Sequence, residues 1–465
     1  MRQSRDLSAL PSAPGLAHRS AIVRPRAELG SSNETLWVAL SLAMCLAYLL
    51  RPSLPIVGAV FSIGVIVVLV RPELAVIFLG FGWIAQRQMP TYWSGIPLLL
   101  LGLLGGAIRL PLGLRNLRRD KRFLFFFAVS AFFSGVSLIV RPAWQGETIN
   151  RIIYMAAGFT TYVLCTRDQG RRYAEVAAIC CGVAVAVNAI VRAQALGMTT
   201  MYSGDVIALR LNDSNYASIP VVFGAALVLE RLSGGRILRK SLPLFVASLG
   251  IMAWGLMMLA SRGGQLAFLV VCGLWLLRLI FSRLKSGKMA RLSLALVTVI
   301  LVIVAGKAVI SDELLLANRL RWEDALPSGG SNRMTIYQDA LQILTSQPSV
   351  VFGGGIGYNF DLLSGVSAHN QILDSLFDYG IVGVIGLLWL WAGFLMDGVG
   401  RRSEKDVMTH SILLPAAGLG VTMLTLSPIW FSFFWVEVAY LAACCVARTQ
   451  SSEESDSHSI GRLKT

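Results

Sequence analysis

Charge is what this sequence has least of. Aspartate, glutamate, lysine and arginine make up 14% of its 465 residues, against about 25% in an ordinary soluble domain. Acidic groups are rarest in the apolar stretches, where Glu175 and Glu437 are the notable ones. That argues against the chain of intramembrane carboxylates through which proton-coupled transporters work. Strict apolar–polar alternation is absent too, which argues against a membrane-spanning barrel. The glycine run GGGIG at 353–357 lacks the Gly-Lys-Ser/Thr ending of a phosphate loop, so a nucleotide site is not expected there. Between residues 311 and 378 no carboxylates stand at the Asp-x-Asp spacing with which a metal-dependent transferase holds its cation. The seven cysteines lie within or at the ends of apolar stretches, away from any histidine or carboxylate at ligand spacing. They read as small buried hydrophobes, and neither a disulfide nor a metal site is expected. The first 34 residues lack the apolar core of a signal peptide.

What is abundant is apolar length. Hydrophobic residues are 55% of the chain and mean hydropathy is +0.65. Fourteen apolar stretches recur near 35–50, 54–70, 73–88, 95–110, 123–141, 148–165, 173–193, 214–231, 241–260, 264–282, 291–310, 379–397, 408–426 and 429–447. Most are long enough to cross a hydrocarbon core of roughly 30 Å as a helix. In lipid every backbone group must be satisfied internally, which leaves helices as the spanning form. The sequence therefore predicts an all-α polytopic membrane protein. The pairs at 54–88 and 408–447 are short, which sets the number at about 12–14 transmembrane helices. Residues 1–34 and 448–465 read as polar, disordered cytoplasmic tails.

The formal charge of +15 would point to nucleic acid in a soluble protein. Here it lies in short loops, where it sets orientation, and no nucleic-acid partner is expected. With both termini inside and the spans alternating, 30 of the 41 lysines and arginines fall on the cytoplasmic side. Four outward segments then stand out: 89–94, 194–213, the turn SRGG at 261–264 and the long loop 311–378. Within that loop, SGGSNRMTIYQDALQILTSQP predicts one helix, with Ser331 or Asn332 as its cap and Pro348 just past its end. Met334, Tyr337, Leu341 and Leu344 give it one apolar face, expected to lie on the membrane surface.

Few residues at the outward side can do chemistry. Of four histidines, His18 and His458 are in the tails and His410 falls at a cytoplasmic end. His369 alone is both outward and at the mouth of the bundle. It is either a proton acceptor at neutral pH or a hydrogen-bonded anchor for the loop. Arg210, Arg262 and Arg333 are outward against the positive-inside trend. Each either presents its planar fork to a phosphate or pairs with headgroups and loop carboxylates. Arg333 gains from its place in the first turn of the loop helix. The GGGIG run reads as tight backbone packing around a ligand or another helix.

Taken in order, Arg210 and Asn215 before a span, then SRGG, then NRMTIYQDALQILTSQPSVVFGGGIGYNF and SAHNQILDSLFDYGIVG form a familiar pattern. Over roughly residues 170–400 it resembles the O-antigen ligase and polymerase superfamily of bacterial envelopes. The resemblance implies a C-type glycosyltransferase-like membrane fold with one large periplasmic loop, 311–378, between helices at 35–310 and 379–447. It implies a multi-pass protein of the bacterial inner membrane whose active site faces the periplasm, working without a metal or cofactor. It further implies transfer of glycan from undecaprenyl pyrophosphate to an acceptor glycan or to lipid A core. Fourteen spans, more than a ligase usually has, favour a polymerase of O-antigen or exopolysaccharide repeat units; the alternatives are a ligase and, from another class, a lipid or polysaccharide transporter. Carried over residue by residue, His369 is catalytic, and Arg210, Arg262 and Arg333 bind the pyrophosphate. Asn215, Asn370, Gly355 and Gly357 support them. Membrane lipid, a flippase and a chain-length regulator are the further partners this implies.

Overall fold

The computed structural model describes residues 32–50, 54–88, 95–117, 120–195, 214–233, 241–259, 261–284, 329–363, 365, 367–399, 412–431 and 433–447. Arg210, the predicted span at 291–310, His410 and residues 1–31 and 448–465 of the expected tails lie outside them, while residues 32–34, expected in the first tail, begin the first helix.

Among the described residues the chain is helical, without a strand. The first half holds α1 (Ser32–Leu50), α2 (Leu54–Val70), α3 (Ala75–Gln88), α4 (Ile96–Leu117), α5 (Lys121–Val140), α6 (Gln145–Cys165) and α7 (Asp168–Ala195). Then come α8 (Ser214–Ser233), α9 (Leu242–Leu259), α10 (Arg262–Leu284), α11 (Gly329–Ser346), the short α12 (Tyr358–Leu362), α13 (Gln371–Val399) and α14 (Leu413–Thr425). The final helix is α15 (Phe433–Ala447). Helices α5, α7, α8, α9, α10 and α13 are long and apolar enough to cross a membrane, and six shorter apolar helices accompany them. The protein is a polytopic helical membrane protein, and thirteen of the fourteen predicted spans coincide with helices.

One local device recurs where helices turn. Proline has no N–H and forces the residue before it out of the α region. Arg71, Arg141, Gln347 and Ser427 each precede a proline, with φ between −114° and −139° and ψ between 69° and 80°. Each opens a short 3₁₀ turn that redirects the chain at once. Arg141 and Ser427 also lend their side chains to the site.

The core is assembled around α15. All but two of its fifteen residues are buried, as expected of a helix apolar on every side. Trp435 stacks on Phe126 of α5, and its backbone lies against Gly158 of α6, where a Cβ would sit 2.8 Å from the Trp435 carbonyl. Phe433 and Tyr440 meet Phe223 of α8 edge-on. Helix α8 in turn packs on α7, α9, α10 and α14.

One end of the bundle is laced by ion pairs. At the end where α3, α5, α7 and α14 begin, Glu73 takes Arg109 at 2.7 Å and Arg167 at 3.4 Å. Arg122 pairs with Asp397, Arg231 with Glu175 and Arg278 with Glu230. The opposite end gathers the SRGG turn, the described part of the long loop and the turns at 141–145 and 426–431.

Candidate functional site

His369 stands in a backbone conformation uncommon for residues other than glycine. Its φ is +50°, the one positive value on a non-glycine residue among those described. Such residues are held there by their surroundings and concentrate at functional sites. The surroundings are specific. The His369 N–H donates to Ser367 Oγ at 3.1 Å. Asn370 caps α13, its Oδ1 accepting from the N–H groups of Ile372 (3.0 Å) and Leu373 (3.3 Å). Its Nδ2 reaches the carbonyl of Leu424 on α14 at 3.4 Å. Beneath the loop lies the fully buried carboxylate of Asp374, in the first turn of α13. It accepts from Asn359 Nδ2 (2.7 Å), the Ala368 N–H (3.1 Å), Ser367 Oγ (2.8 Å) and the Ser427 hydroxyl.

The glycine run docks this loop on the bundle. Gly353, Gly355 and Gly357 have φ of +82°, +88° and +84°. The N–H groups of Gly354 and Gly355 donate to the carbonyls of Phe377 (2.9 Å) and Asp378 (3.0 Å). Helix α13 kinks at Gly380, with φ +67°. A Cβ on Gly380 would lie 2.5 Å from the Phe352 carbonyl, and one on Gly353 2.4 Å from the Gly380 nitrogen. Gly380→Ala should therefore destabilise the protein by about 2 kcal/mol or more and lower activity with it, as read by thermal melting in detergent. From α5, Ser137 Oγ accepts the Ile356 N–H at 2.7 Å. Arg141 pairs with Asp361 and donates to the Gly354 carbonyl at 3.2 Å. Partial burial lowers the Arg141 guanidinium from its ordinary value, against the pull of Asp378 and Tyr358. Deeper, Arg151 of α6 contacts Asp378 Oδ2 at 3.3 Å and the Tyr379 hydroxyl at 2.5 Å, with all three side chains out of solvent. The run is thus packed on helices α5 and α13, with Gly355 against Ser137 and Gly357 against Trp144.

Arg262 is the first residue of α10, half-buried. Ser261 before it accepts the Gly264 N–H at 3.1 Å and donates to Asn215 Oδ1 of α8 at 2.9 Å. A Cβ on Gly263 would be 2.6 Å from Thr425 Oγ1, beside the Leu424 that Asn370 reaches. The starts of α8, α10 and α13 therefore meet around the last turn of α14. They bring Asn215, Arg262, His369 and Asn370 to one place. Arg333 on α11 precedes Ile336 and Ala340 by three and seven residues and shares their face. That face packs with Ala368 and Phe377.

Two expectations need correction. Helix α11 begins at Gly329, so neither Ser331 nor Asn332 is its cap, and Arg333 stands a full turn in. The helix packs on the protein through Ile336, Ala340 and Ile343, while Met334 and Leu341, on the face expected to meet the membrane, are exposed. The helix carrying the span expected from Tyr379 starts at Gln371, and the kink at Gly380 marks the expected entry point. Sequence reasoning passed over Asp374, Ser427, Arg141, Arg151 and Asp378. Their signals were the Arg-Pro and Ser-Pro pairs at 141 and 427, and two further arginines on the outward side by alternation.

These features define a helical membrane protein with arginine, histidine and three helix N-termini at one end of its bundle. Residues 247–388 match the family described as O-antigen ligase. The match covers Arg262, Arg333, His369, Asn370 and the glycine run, and supports an O-antigen ligase- or polymerase-type glycosyltransferase. No curated protein matches the chain.

Proposed function

We propose that the chain transfers glycan from undecaprenyl pyrophosphate to an acceptor sugar at the periplasmic face of the inner membrane, polymerising O-antigen or exopolysaccharide repeat units. The observation that carries this reading is the meeting of the α8, α10 and α13 N-termini with Arg262 and His369. Helix N-termini offer free N–H groups and the positive end of the dipole to an anion. Arginine adds a bidentate fork. A lipid pyrophosphate is an anion of this kind, tethered at the depth where the bundle ends.

The chemistry follows from the groups. The acceptor hydroxyl attacks the anomeric carbon, and His369 takes its proton in the same step. The bond from that carbon to the pyrophosphate oxygen breaks, and the electron pair leaves on the pyrophosphate. Arg262 and Arg333, with Arg210 from the segment before α8, stabilise the charge that develops there. Asn215 and Asn370 fix the helix ends that carry Arg262 and His369. The donor is already activated, so no nucleotide enters. Exposed Met334, Leu341 and Phe352 rest on lipid and set the depth of the loop. A second reading, ligation of finished glycan to lipid A core, is favoured by the family description. It shares these steps and differs in the acceptor.

Two experiments test this. Alanine at Arg210, Arg262 or Arg333 should lower transfer by about 10²-fold or more in each case, with the protein still folded. Lysine should restore only part, since it is a point charge without the fork. Wild-type rates in all three alanine variants would remove the pyrophosphate site. For orientation, cysteines introduced at Gly329 and Ser364 should react with an impermeant thiol reagent in cells with a permeabilised outer membrane, and one at Ser286 should not. The reverse pattern would put His369 on the wrong side of the membrane.

A further inference from the structure

We propose that Asp374 and Ser427 are positioning residues for His369, so that the Ser-Pro turn after α14, outside the family-matched segment, completes the site. This rests on the transferase reading for its consequence but on separate geometry for its argument. The left-handed backbone at His369 is disfavoured for any side chain with a Cβ. Something must hold it there. The groups that do so converge on one buried carboxylate. Asp374 Oδ1 accepts from the Ala368 N–H and from Asn359 Nδ2. Asp374 Oδ2 accepts from the hydroxyls of Ser367 and Ser427, which are 3.2 Å apart. Ser367 Oγ in turn accepts the His369 N–H. The carboxylate thus ties the two residues before His369 to α12 on one side and to the Ser-Pro turn on the other.

The turn is itself clamped to the start of α13. The Ile429 N–H donates to Gln371 Oε1 at 2.8 Å, and Gln371 Nε2 donates to Ser375 Oγ at 2.9 Å. Asp374, Ser375, Ser367, Ser427 and Gln371 are all buried. Their hydrogen bonds run to one another and to the backbone on either side of His369, so their role acts through the backbone of residue 369. Without the carboxylate, residue 369 is free to relax to negative φ. That relaxation swings its Cα–Cβ bond and carries the imidazole away from the acceptor hydroxyl. Asparagine in place of Asp374 keeps the two acceptor contacts of Oδ1, and serine hydroxyls can turn to accept from its amide. Alanine keeps none.

The test reads the imidazole directly. Full-length protein labelled with ¹³C-histidine in lipid nanodiscs contains four histidines, and the His369 resonance is assigned by its loss in His369→Gln. Asp374→Ala and Ser427→Ala should shift and broaden that resonance, and Asp374→Asn should largely restore it. Using a polyprenyl-pyrophosphate-linked oligosaccharide as donor, kcat should fall about 10²-fold in Asp374→Ala and about tenfold in Ser427→Ala. KM for the donor should stay near wild type in both. Should Asp374→Ala fail to fold, Ser427→Ala and Asp374→Asn carry the test. An unchanged His369 resonance in folded Ser427→Ala, or a kcat loss in Asp374→Asn as deep as in Asp374→Ala, would overturn the proposal. A chain that transfers no glycan at all would sink the transferase reading while the resonance still reports on Asp374.

Discussion

Glycine at position 369 is expected to leave the protein folded and almost as stable, while slowing glycan transfer by about 10²–10⁴-fold. The backbone there already has φ of +50°, which glycine adopts without a Cβ penalty. The relief is offset by the greater freedom of glycine in the unfolded chain, so melting should shift by no more than about 1 kcal/mol in either direction. A loop anchor that worked only by hydrogen bonding of its side chain would behave otherwise, losing stability along with rate. The proton-accepting role adds a pH signature. The imidazolium form cannot accept a proton. The wild-type rate should therefore fall on acidification, and the residual rate of His369→Gly should lack that limb. Added imidazole should restore part of the glycine variant's activity. Wild-type turnover in His369→Gly would make the residue structural.

The largest loss of stability is expected from Arg151→Ala. Arg151 and Asp378 are each 1% exposed, and removing one partner of a buried pair leaves the other charged without compensation, at a cost of about 3–5 kcal/mol. Here the consequence spreads, because the Asp378 carbonyl holds the Gly355 N–H and its carboxylate lies 3.4 Å from the Asn359 N–H. The glycine run and α12 should loosen together, and activity should fall with them. Combining Arg151→Met with Asp378→Asn removes both charges and should recover a large part of the lost melting temperature. Equal losses in the single and double variants would mean that the pair does not hold this part of the fold.

The helices were legible because lipid imposes a length and a composition on each span, and the reading fails only where that rule is silent. Hydropathy located α15 but could not reveal it as the centre of the bundle, since protein interior and lipid are equally apolar. The packed face of α11 was not read for a related reason. That helix carries apolar residues on two sides, and nothing in its own sequence says which side meets protein. His369, Arg262 and Arg333 were singled out because each contradicts a local expectation: an imidazole among apolar residues, or a cation expected on the outward side. Asp374 and Asp378 contradict nothing locally. Their partners Ser427 and Arg151 stand 53 and 227 residues away, and no period in the sequence connects them. The cap role of Asn370 was within reach, as an Asn directly before an apolar helical run.

One measurement tests the central claim most directly. Purified protein in vesicles is given a polyprenyl-pyrophosphate-linked oligosaccharide and an acceptor glycan, in EDTA and without nucleotide. The account predicts new glycosidic linkages, one polyprenyl pyrophosphate released for each, and loss of both in Arg262→Ala and His369→Ala. Donor moved across the bilayer with no linkage formed, or full product in both variants, would contradict it.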